Sequence, residues 1–345
     1  MNEPKFILSR KKVFEQYEKA KKLSDLVSYS SKTNPEITKV LEASTDSLFS
    51  IHSIHELKNI TNKKRIIYLA QGWNEKEITF LVKEKIFRFV VDNVVDLKVL
   101  KEFILKNPSF KLDLFLRLKL KENTLKTERY FVFGFSSDFI NKEIPELKKI
   151  PGISHLGIHF HRKTQNLSEW NLKEEIEDTI EKETFDKIDF LIMGGGLPSI
   201  YTNTNMKVFE GIFSKIKTFK NWLNGFGIKL IIEPGRFISA PAVKLETNIK
   251  AIYENNIIIN ASVYNGDLDA IVVPVKLLVE NEVEKGKGKA YSIKGITPCS
   301  MDLFRYRTYL KEPKVGDKLV FLNAGAYNFT TDFCDLPKIK TFIVE

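Results

Sequence analysis

A chain of 345 residues, 43% apolar and 28% charged, is long enough for one large domain and a smaller one, each with its own core. No apolar run reaches the roughly 18 residues of a membrane span, and Met1 to Arg10 lacks a signal-peptide pattern, so a cytosolic protein is expected. Two cysteines, Cys299 and Cys334, cannot build a disulfide framework, and the net charge of +10 accompanies no nucleic-acid motif; it reads as lysine-rich solvated faces or as attraction for an anionic small molecule.

Phe6-Ile7-Leu8 precedes a helical segment, Lys11 to Leu23, and adds a candidate strand. From Val27 to Glu233 a short β-rich run alternates with a polar, helically spaced one. The β-rich runs are Val27 to Ser30, Leu48 to Ile51, Ile66 to Leu69, Arg88 to Val91, Leu112 to Leu120, Leu156 to Phe160, Phe190 to Met193 and Lys229 to Ile232. Helical spacing separates them, as in Pro35 to Ala43, Glu75 to Lys83 and Leu97 to Leu105. Alternation of this kind predicts parallel strands with right-handed crossovers. Eight such units fit a (β/α)8 barrel with its active site at the C-terminal ends of the strands; an open doubly wound sheet is the competing architecture.

After Pro241 the texture changes. Val243 to Tyr253, Asn256 to Val263, Ala270 to Val279, Ala290 to Ile296, Lys318 to Leu322 and Ile339 to Val344 are β-branched or alternating, joined by turns such as Asn265-Gly266-Asp267. The expected organisation is an N-terminal leader over 1–22, a barrel over 23–238 and an antiparallel β-domain over 239–345.

Candidate chemistry gathers at the ends of the barrel runs. In Tyr29-Ser30-Ser31-Lys32-Thr33-Asn34-Pro35, Lys32 stands just beyond the first run, where an amine can act as a Schiff-base nucleophile or can simply be solvated. Gly194-Gly195-Gly196 directly follow a buried run; three glycines exceed what a tight turn needs and let backbone N–H groups face an anion such as phosphate. Glu233-Pro234-Gly235-Arg236 closes the eighth run. It places a carboxylate on the catalytic face and an arginine beside it, as a surface ion pair also would.

In His155-Leu156-Gly157-Ile158-His159-Phe160-His161, alternation puts His159 and His161 on one face, as a His-x-His metal site requires. No histidine follows His161, and His52 and His55 lie early, so a metal centre is not expected. An imidazole at the barrel mouth can instead stack on a flat ring. Cys299, in the polar loop Thr297 to Asp302, is a candidate acid or nucleophile, while Cys334 reads as an inert thiol.

Tyr29-x-x-Lys32-x-Asn34, Gly194-Gly195-Gly196, Glu233-Pro234-Gly235-Arg236, Cys299-x-x-Asp302 and Gly325-Ala326-Tyr327, in this order, resemble the alanine-racemase-fold decarboxylases that use pyridoxal 5′-phosphate (PLP), the family of ornithine and diaminopimelate decarboxylases. The resemblance covers nearly the whole chain. It implies that Lys32 holds PLP as a Schiff base, that His161 stacks on the ring and that Glu233 pairs with the pyridine nitrogen. It further implies a phosphate cradle of Gly194, Gly195, Gly196, Gly235 and Arg236 with the Tyr327 hydroxyl, and an Arg117 near the cofactor O3′. Cys299 resembles the cysteine that a second subunit supplies to protonate Cα, so a homodimer with shared sites is implied. Glu233 and Cys299 favour decarboxylation over racemisation.

Departures from the family pattern bear on the substrate. Ser300 follows Cys299 where relatives acting on diamino acids carry an acidic residue, and a second acidic contact beyond Tyr264 falls near Val273. Phe49-Ser50-Ile51-His52-Ser53 replaces Phe-Asp-Cys-Ala-Ser. A pocket without distal carboxylates suits an acylated distal amine, which resembles the siderophore branch acting on citryl-ornithine or citryl-diaminopropionate. Tyr264, Lys276, Ser300, Arg305 and Arg307 are the candidate substrate contacts. A free diamino acid (ornithine, lysine or meso-diaminopimelate) is the alternative. A catalytically silent binding protein, as antizyme inhibitors are, is the alternative of another class, disfavoured by the retained Lys32, Glu233, Cys299 and glycines.

Overall fold

The computed structural model describes residues 3–120 and 133–345, and the statements below concern those residues. The chain divides into two compact units. One comprises Tyr17–Pro198 with Lys207–Gly235; the other comprises Met1–Gln16, Ser199–Met206 and Arg236–Glu345. No described helix is long and apolar enough to cross a membrane.

The chain opens with strand β1 (Lys5–Ser9) and a helix, Arg10–Lys21. The strands of the first unit are β2 (Leu26–Ser30), β3 (Leu48–Ile51), β4 (Ile66–Tyr68), β5 (Arg88–Val91), β6 (Leu112–Leu118), β7 (Ile153–Arg162), β8 (Phe190–Gly195) and β9 (Lys229–Glu233). They pair in chain order, all parallel, and β9 returns to β2 to close a barrel. The helices between them carry the end signals their sequences advertise. Asn34 caps Pro35–Ser44, which has proline at its first position, and Asn74 and Glu77 form a reciprocal capping box on Glu75–Lys83.

Side chains alternate in and out along each strand, and the inward set explains the barrel. Ile67, Val90, Phe115, Ile192 and Ile231 form one buried cluster, with Leu26, Leu48, Leu69 and Phe190 packed against it. Strand β7 contributes Gly157 at this level. A Cβ there would lie 2.4 Å from the Phe190 carbonyl oxygen and 2.7 Å from the Phe115 ring, so backbone and ring together leave no room for a β7 side chain.

The second unit is a mostly antiparallel sheet. Its strands are β1, β10 (Val243–Tyr253), β11 (Asn256–Ile259), β12 (Leu278–Val279), β13 (Lys289–Lys294), β14 (Leu303–Leu310), β15 (Lys318–Leu322) and β16 (Lys340–Val344), with main order β12-β15-β10-β11-β13-β14. Strand β1 pairs antiparallel with β10 and parallel with β16, so Phe6-Ile7-Leu8 is indeed a strand.

Two expected runs are corrected. Asn256 to Val263 ends as a strand at Ile259, because Ser262 and Asn265 build a capping box that starts a helical turn, Val263–Gly266. Ala270 to Val279 is a helical turn, Asp269–Val272, followed by a two-residue strand; Pro274 between them has no N–H to give to a ladder. Strand β14 was hidden by its charges. Arg305 is buried, whereas Tyr306 and Arg307 are both exposed, so the in–out alternation is interrupted at Arg307, whose φ is 61°.

Phe115 is 1% exposed. Phe115→Ala opens a cavity over Gly157 that no neighbour fills, and a loss of about 3–5 kcal/mol is expected in urea unfolding.

Candidate active site

The layer above the apolar cluster is polar, and the two-residue period generates it. Two residues past Leu26, Leu48, Val90, Phe115, Gly157, Ile192 and Ile231 stand Ser28, Ser50, Asp92, Arg117, His159, Gly194 and Glu233. Ser30, His52 and His161 follow at the next step. Register holds neighbours level: Arg117 is opposite His159, and His161, Gly194 and Glu233 are successive partners across β7, β8 and β9.

Glu233 is 5% exposed, and both of its oxygens are engaged. Ser50 donates to Oε1 at 2.5 Å, and Oε2 lies 3.1 Å from Nε2 of the fully buried His159. Ser50 in turn meets Ser28 at 2.7 Å. Burial alone would push the carboxyl pKa up, but the charge and hydrogen bond of His159 and the bond from Ser50 outweigh it and hold the pKa near about 2. The group is therefore an anion at neutral pH. His159 Nδ1 is buried without a hydrogen-bond partner.

Gly194 has no alternative here: a Cβ would lie 2.8 Å from His159 Nε2 and 2.9 Å from Glu233 Oε2. Gly195 and Gly196 have φ of 61° and 80°, and Cβ atoms on them would press on His161 and Arg162. Packing and backbone conformation alone thus account for all three glycines. The same bare backbone leaves a rim over which an anion can approach.

Arg117 is pinned by Asp92, Nη1 to Oδ2 at 3.0 Å, and burial lowers its pKa against that partner. Asp92 also accepts from Gln71 Nε2 at 2.6 Å and from the Gly134 N–H at 2.7 Å. Lys32 is exposed on the single helical turn Ser31–Thr33 after β2. Ser31 Oγ contacts Thr38 Oγ1 at 2.9 Å and anchors that turn, and Asn34 caps the next helix. His161 is open to water on one side, yet its pKa falls to about 3: desolvation by the surrounding protein comes first, then the charges of Arg117, His159 and Lys32. It presents a neutral ring.

The remaining candidates lie in the sheet unit. Cys299 Sγ is 3.2 Å from the Tyr264 hydroxyl, and the Tyr264 ring stacks on Phe333 at 3.9 Å. The bond from Tyr264, then the Met301 N–H, lowers the thiol pKa, while the phenol is pushed up to about 12. Asp302 is structural: buried, it accepts from the N–H groups of Val263 and Thr297 and from the Thr297 hydroxyl. Arg236 is 3% exposed and grips Asp269 with two nitrogens and Tyr201 Oη at 2.8 Å, and its guanidinium lies 5.2 Å from the Tyr327 ring. Arg305 is buried against Glu282, Thr202 and the Leu277 carbonyl, whereas Ser300, Lys276 and Arg307 are exposed.

The barrel unit thus gathers Lys32, Arg117, His161, Gly194 to Gly196 and Glu233 at one end, with Gly235 following Glu233. Sequence reasoning met His159 only as a rejected metal ligand and Ser50 only as a departure from the family pattern, and it passed over Asp92. Their signal was the two-residue step beyond each apolar barrel position.

Residues 10–240 match the family described as pyridoxal-dependent decarboxylase, pyridoxal binding domain. The chain belongs to that family. Its fold is shared with the diaminopimelate decarboxylase of Helicobacter pylori complexed with L-lysine, at a TM-score of 0.82 and 21% identity, covering 100% of this chain and 92% of the other. Among curated proteins it is 25% identical to a diaminopimelate decarboxylase of Helicobacter pylori, over 97% of this chain and 88% of that one. It is also 25% identical to that of Aquifex aeolicus, over 82% of this chain and 70% of the relative.

As a pyridoxal-dependent decarboxylase the protein is an amino-acid carboxy-lyase whose cofactor is PLP. The residues present fit that group: a lysine amine at the barrel mouth, a buried anion to face a protonated ring nitrogen, and three successive glycines whose backbone carries no side chain there.

The depressed Glu233 pKa makes a pH-dependent contribution to stability. It is fully present above the ordinary value of 4.5 and is lost as pH falls through about 2. The stability difference between wild type and Glu233→Gln should be constant above pH 4.5 and shrink below it, as measured by denaturant titration across pH.

Proposed function

We propose that this enzyme removes the α-carboxylate of a free diamino acid, with meso-diaminopimelate the first candidate and lysine and ornithine the next. Support for the substrate comes from the curated relatives, which are named diaminopimelate decarboxylases and align over most of the chain. Support for the chemistry rests on one observation: a buried carboxylate, Glu233, kept ionised by His159 and Ser50.

Bound PLP supplies the sink for the electrons of the breaking Cα–carboxylate bond. Glu233 holds a proton on the ring nitrogen, which keeps that sink strong. His161 lays its uncharged ring against the cofactor, and Arg117, fixed by Asp92, borders it. Lys32 would hold the cofactor through its amine. Backbone N–H groups of Gly194 to Gly196, with Gly235, receive the phosphate; Arg236, already committed to Asp269 and Tyr201, adds less. Cys299, contributed by a second copy of the chain in a homodimer, returns a proton to Cα. The Tyr264 bond lowers the thiol pKa and so makes it a stronger acid. A diaminopimelate substrate carries a distal carboxylate as well as a distal ammonium, and the exposed Lys276 and Arg307 are cations suited to that anion.

A second reading keeps the same chemistry with a citryl diamino acid of a siderophore pathway. It is favoured by Ser300, exposed beside Cys299 and uncharged where a free distal ammonium wants a carboxylate. The distinguishing experiment is CO2 release from meso-diaminopimelate, lysine, ornithine and the citryl conjugates of ornithine and diaminopropionate. Highest kcat/KM on a free diamino acid is expected. Turnover of a citryl conjugate alone would install the second reading, and Lys32→Ala should abolish both activity and the visible absorption of bound PLP.

A further inference from the structure

Phe333 is 37% exposed, so packing in a core does not explain where it sits. Its ring lies on that of Tyr264, with centroids 3.9 Å apart and planes 22° from parallel. The backbone that brings it there is strained. In the single turn Phe333–Asp335, Cys334 and Asp335 have φ of 54° and 51°, a left-handed conformation that residues with a side chain rarely adopt. Strain of this kind persists only where surrounding contacts impose it, and it gathers at functional sites.

Those contacts lead to one turn. The Thr331 N–H donates to the Tyr264 carbonyl at 3.0 Å, and Asn265 Nδ2 donates to the Pro337 carbonyl at 3.0 Å. Residues 331–337 are thus fastened at both ends to the helical turn Val263–Gly266, with the stacked rings between. Tyr264 is fixed from its own side as well, since its N–H donates to Ser262 Oγ at 3.2 Å. What is held in this way is a phenol whose hydroxyl lies 3.2 Å from Cys299 Sγ. Every group named belongs to the sheet unit.

The direction of that bond follows from ordinary acidities. A phenol holds its proton more tightly than a thiol, with pKa about 10 against about 8.5, so Tyr264 donates and the sulfur accepts. A hydrogen bond to an ion is stronger than one to the neutral group, so the contact gains strength as Cys299 loses its proton. The groups facing the pair are few. The Tyr264 bond first, then the N–H groups of Met301 and Asp302, lower the thiol pKa against desolvation and the Asp302 charge. The phenol is raised by its bond to Cys299 first, and then by burial and the charges of Cys299, Asp302 and Cys334.

We propose that residues 331–337 are a strap that aims the Tyr264 hydroxyl at Cys299 Sγ through the stacked Phe333 ring, which makes Tyr264 and Phe333 positioning residues for the thiol. This rests on the reading that Cys299 supplies the proton to Cα. The proton leaves Sγ, the phenol keeps its own, and its hydrogen bond stays on the sulfur until solvent restores the thiol. The Tyr264 hydroxyl is then committed to the sulfur rather than to substrate, and Phe333 acts through Tyr264.

The test uses full-length protein carrying Cys334→Ser, in which Cys299 is the one remaining thiol. Alkylation by iodoacetamide is timed by mass spectrometry as a function of pH, a reading that needs neither cofactor nor substrate. Tyr264→Phe in this parent should label about 3–10-fold more slowly at pH 7, and at least as fast as the parent near pH 10.5, where an unaided thiol is ionised. Phe333→Leu should slow labelling at pH 7 by a smaller factor, and Phe333→Tyr, which keeps the ring, should match the parent. Tyr264→Phe labelled at the parent rate at pH 7 would overturn the proposal. So would slowing by one factor at both pH values, which is what a merely displaced thiol gives. Phe333→Leu indistinguishable from the parent, or Phe333→Tyr as slow as Phe333→Leu, would overturn the strap. Should Tyr264→Phe fold poorly, the two Phe333 variants decide the question. CO2 release by Cys299→Ala equal to that of the parent would sink the proton-donor reading itself, a failure told apart from any in the labelling.

Discussion

The buried carboxylate of Glu233 is the costliest group in the barrel, and much of the surrounding sequence answers to it. Taking a carboxylate out of water costs several kcal/mol unless it is paired and hydrogen-bonded. His159 and Ser50 satisfy one oxygen each, and Ser28 steadies Ser50 from behind. The grouping forces the residue between β7 and β9 to be glycine, because a Cβ at Gly194 would enter the space held by His159 and Glu233. An anion kept at the mouth of a parallel barrel is costly as scaffold and useful as chemistry, since it sets the protonation state of any aromatic base bound above it.

A single period organises that end of the barrel. Most strands spend their inward positions in order: an apolar or absent side chain in the middle of the barrel, a polar or absent one at its rim, and a reactive or open one beyond, although β4 keeps the apolar Leu69 at the rim. Phe115, Arg117 and Asp92, Ile192 and Gly194, Leu48, Ser50 and His52 are the same rule on different strands. Below the apolar level polar residues return, with Arg88 paired to Asp113, whose other oxygen lies 2.7 Å from His155 Nδ1. Chemistry therefore needs no special loop to reach the centre of the mouth. Two residues of extended chain past the hydrophobic layer suffice.

This is why the barrel was legible and the sheet unit only partly so. Strand runs in a parallel barrel are buried on both faces, so Phe190-Leu191-Ile192-Met193 or Lys229 to Ile232 stand out as apolar blocks between helical patterns. A sheet with one polar face mixes its signals. The alternation in Leu303 to Leu310 is interrupted where Tyr306 and Arg307 both face water, and Ala270 to Val279 offered β-branched residues that Pro274 prevents from pairing. The reactive residues divide likewise. Lys32, Glu233 and His161 are visible because each ends a recognisable run, whereas the local pattern around His159 suggests only a metal ligand. Its partner is a carboxylate 74 residues away, and nothing nearby in the chain announces that pairing.

The sheet unit carries its own electrostatic balance, and it limits what Arg236 can do. Asp269 grips the guanidinium with both oxygens and Tyr201 takes a third contact, which raises the arginine pKa against the burial that would lower it. Asp267 lies fully buried nearby with neither oxygen hydrogen-bonded, and burial first, then the Asp269 charge, push its pKa well up. Both influences disfavour the ionised form of that carboxyl. Arg236 is thus matched by the anion of Asp269, one cation against one carboxylate. Any net positive field offered to an anion must come instead from oriented backbone N–H groups or from solvated lysines. That is a reason to look for phosphate recognition along bare glycine backbone before looking for it at the arginine.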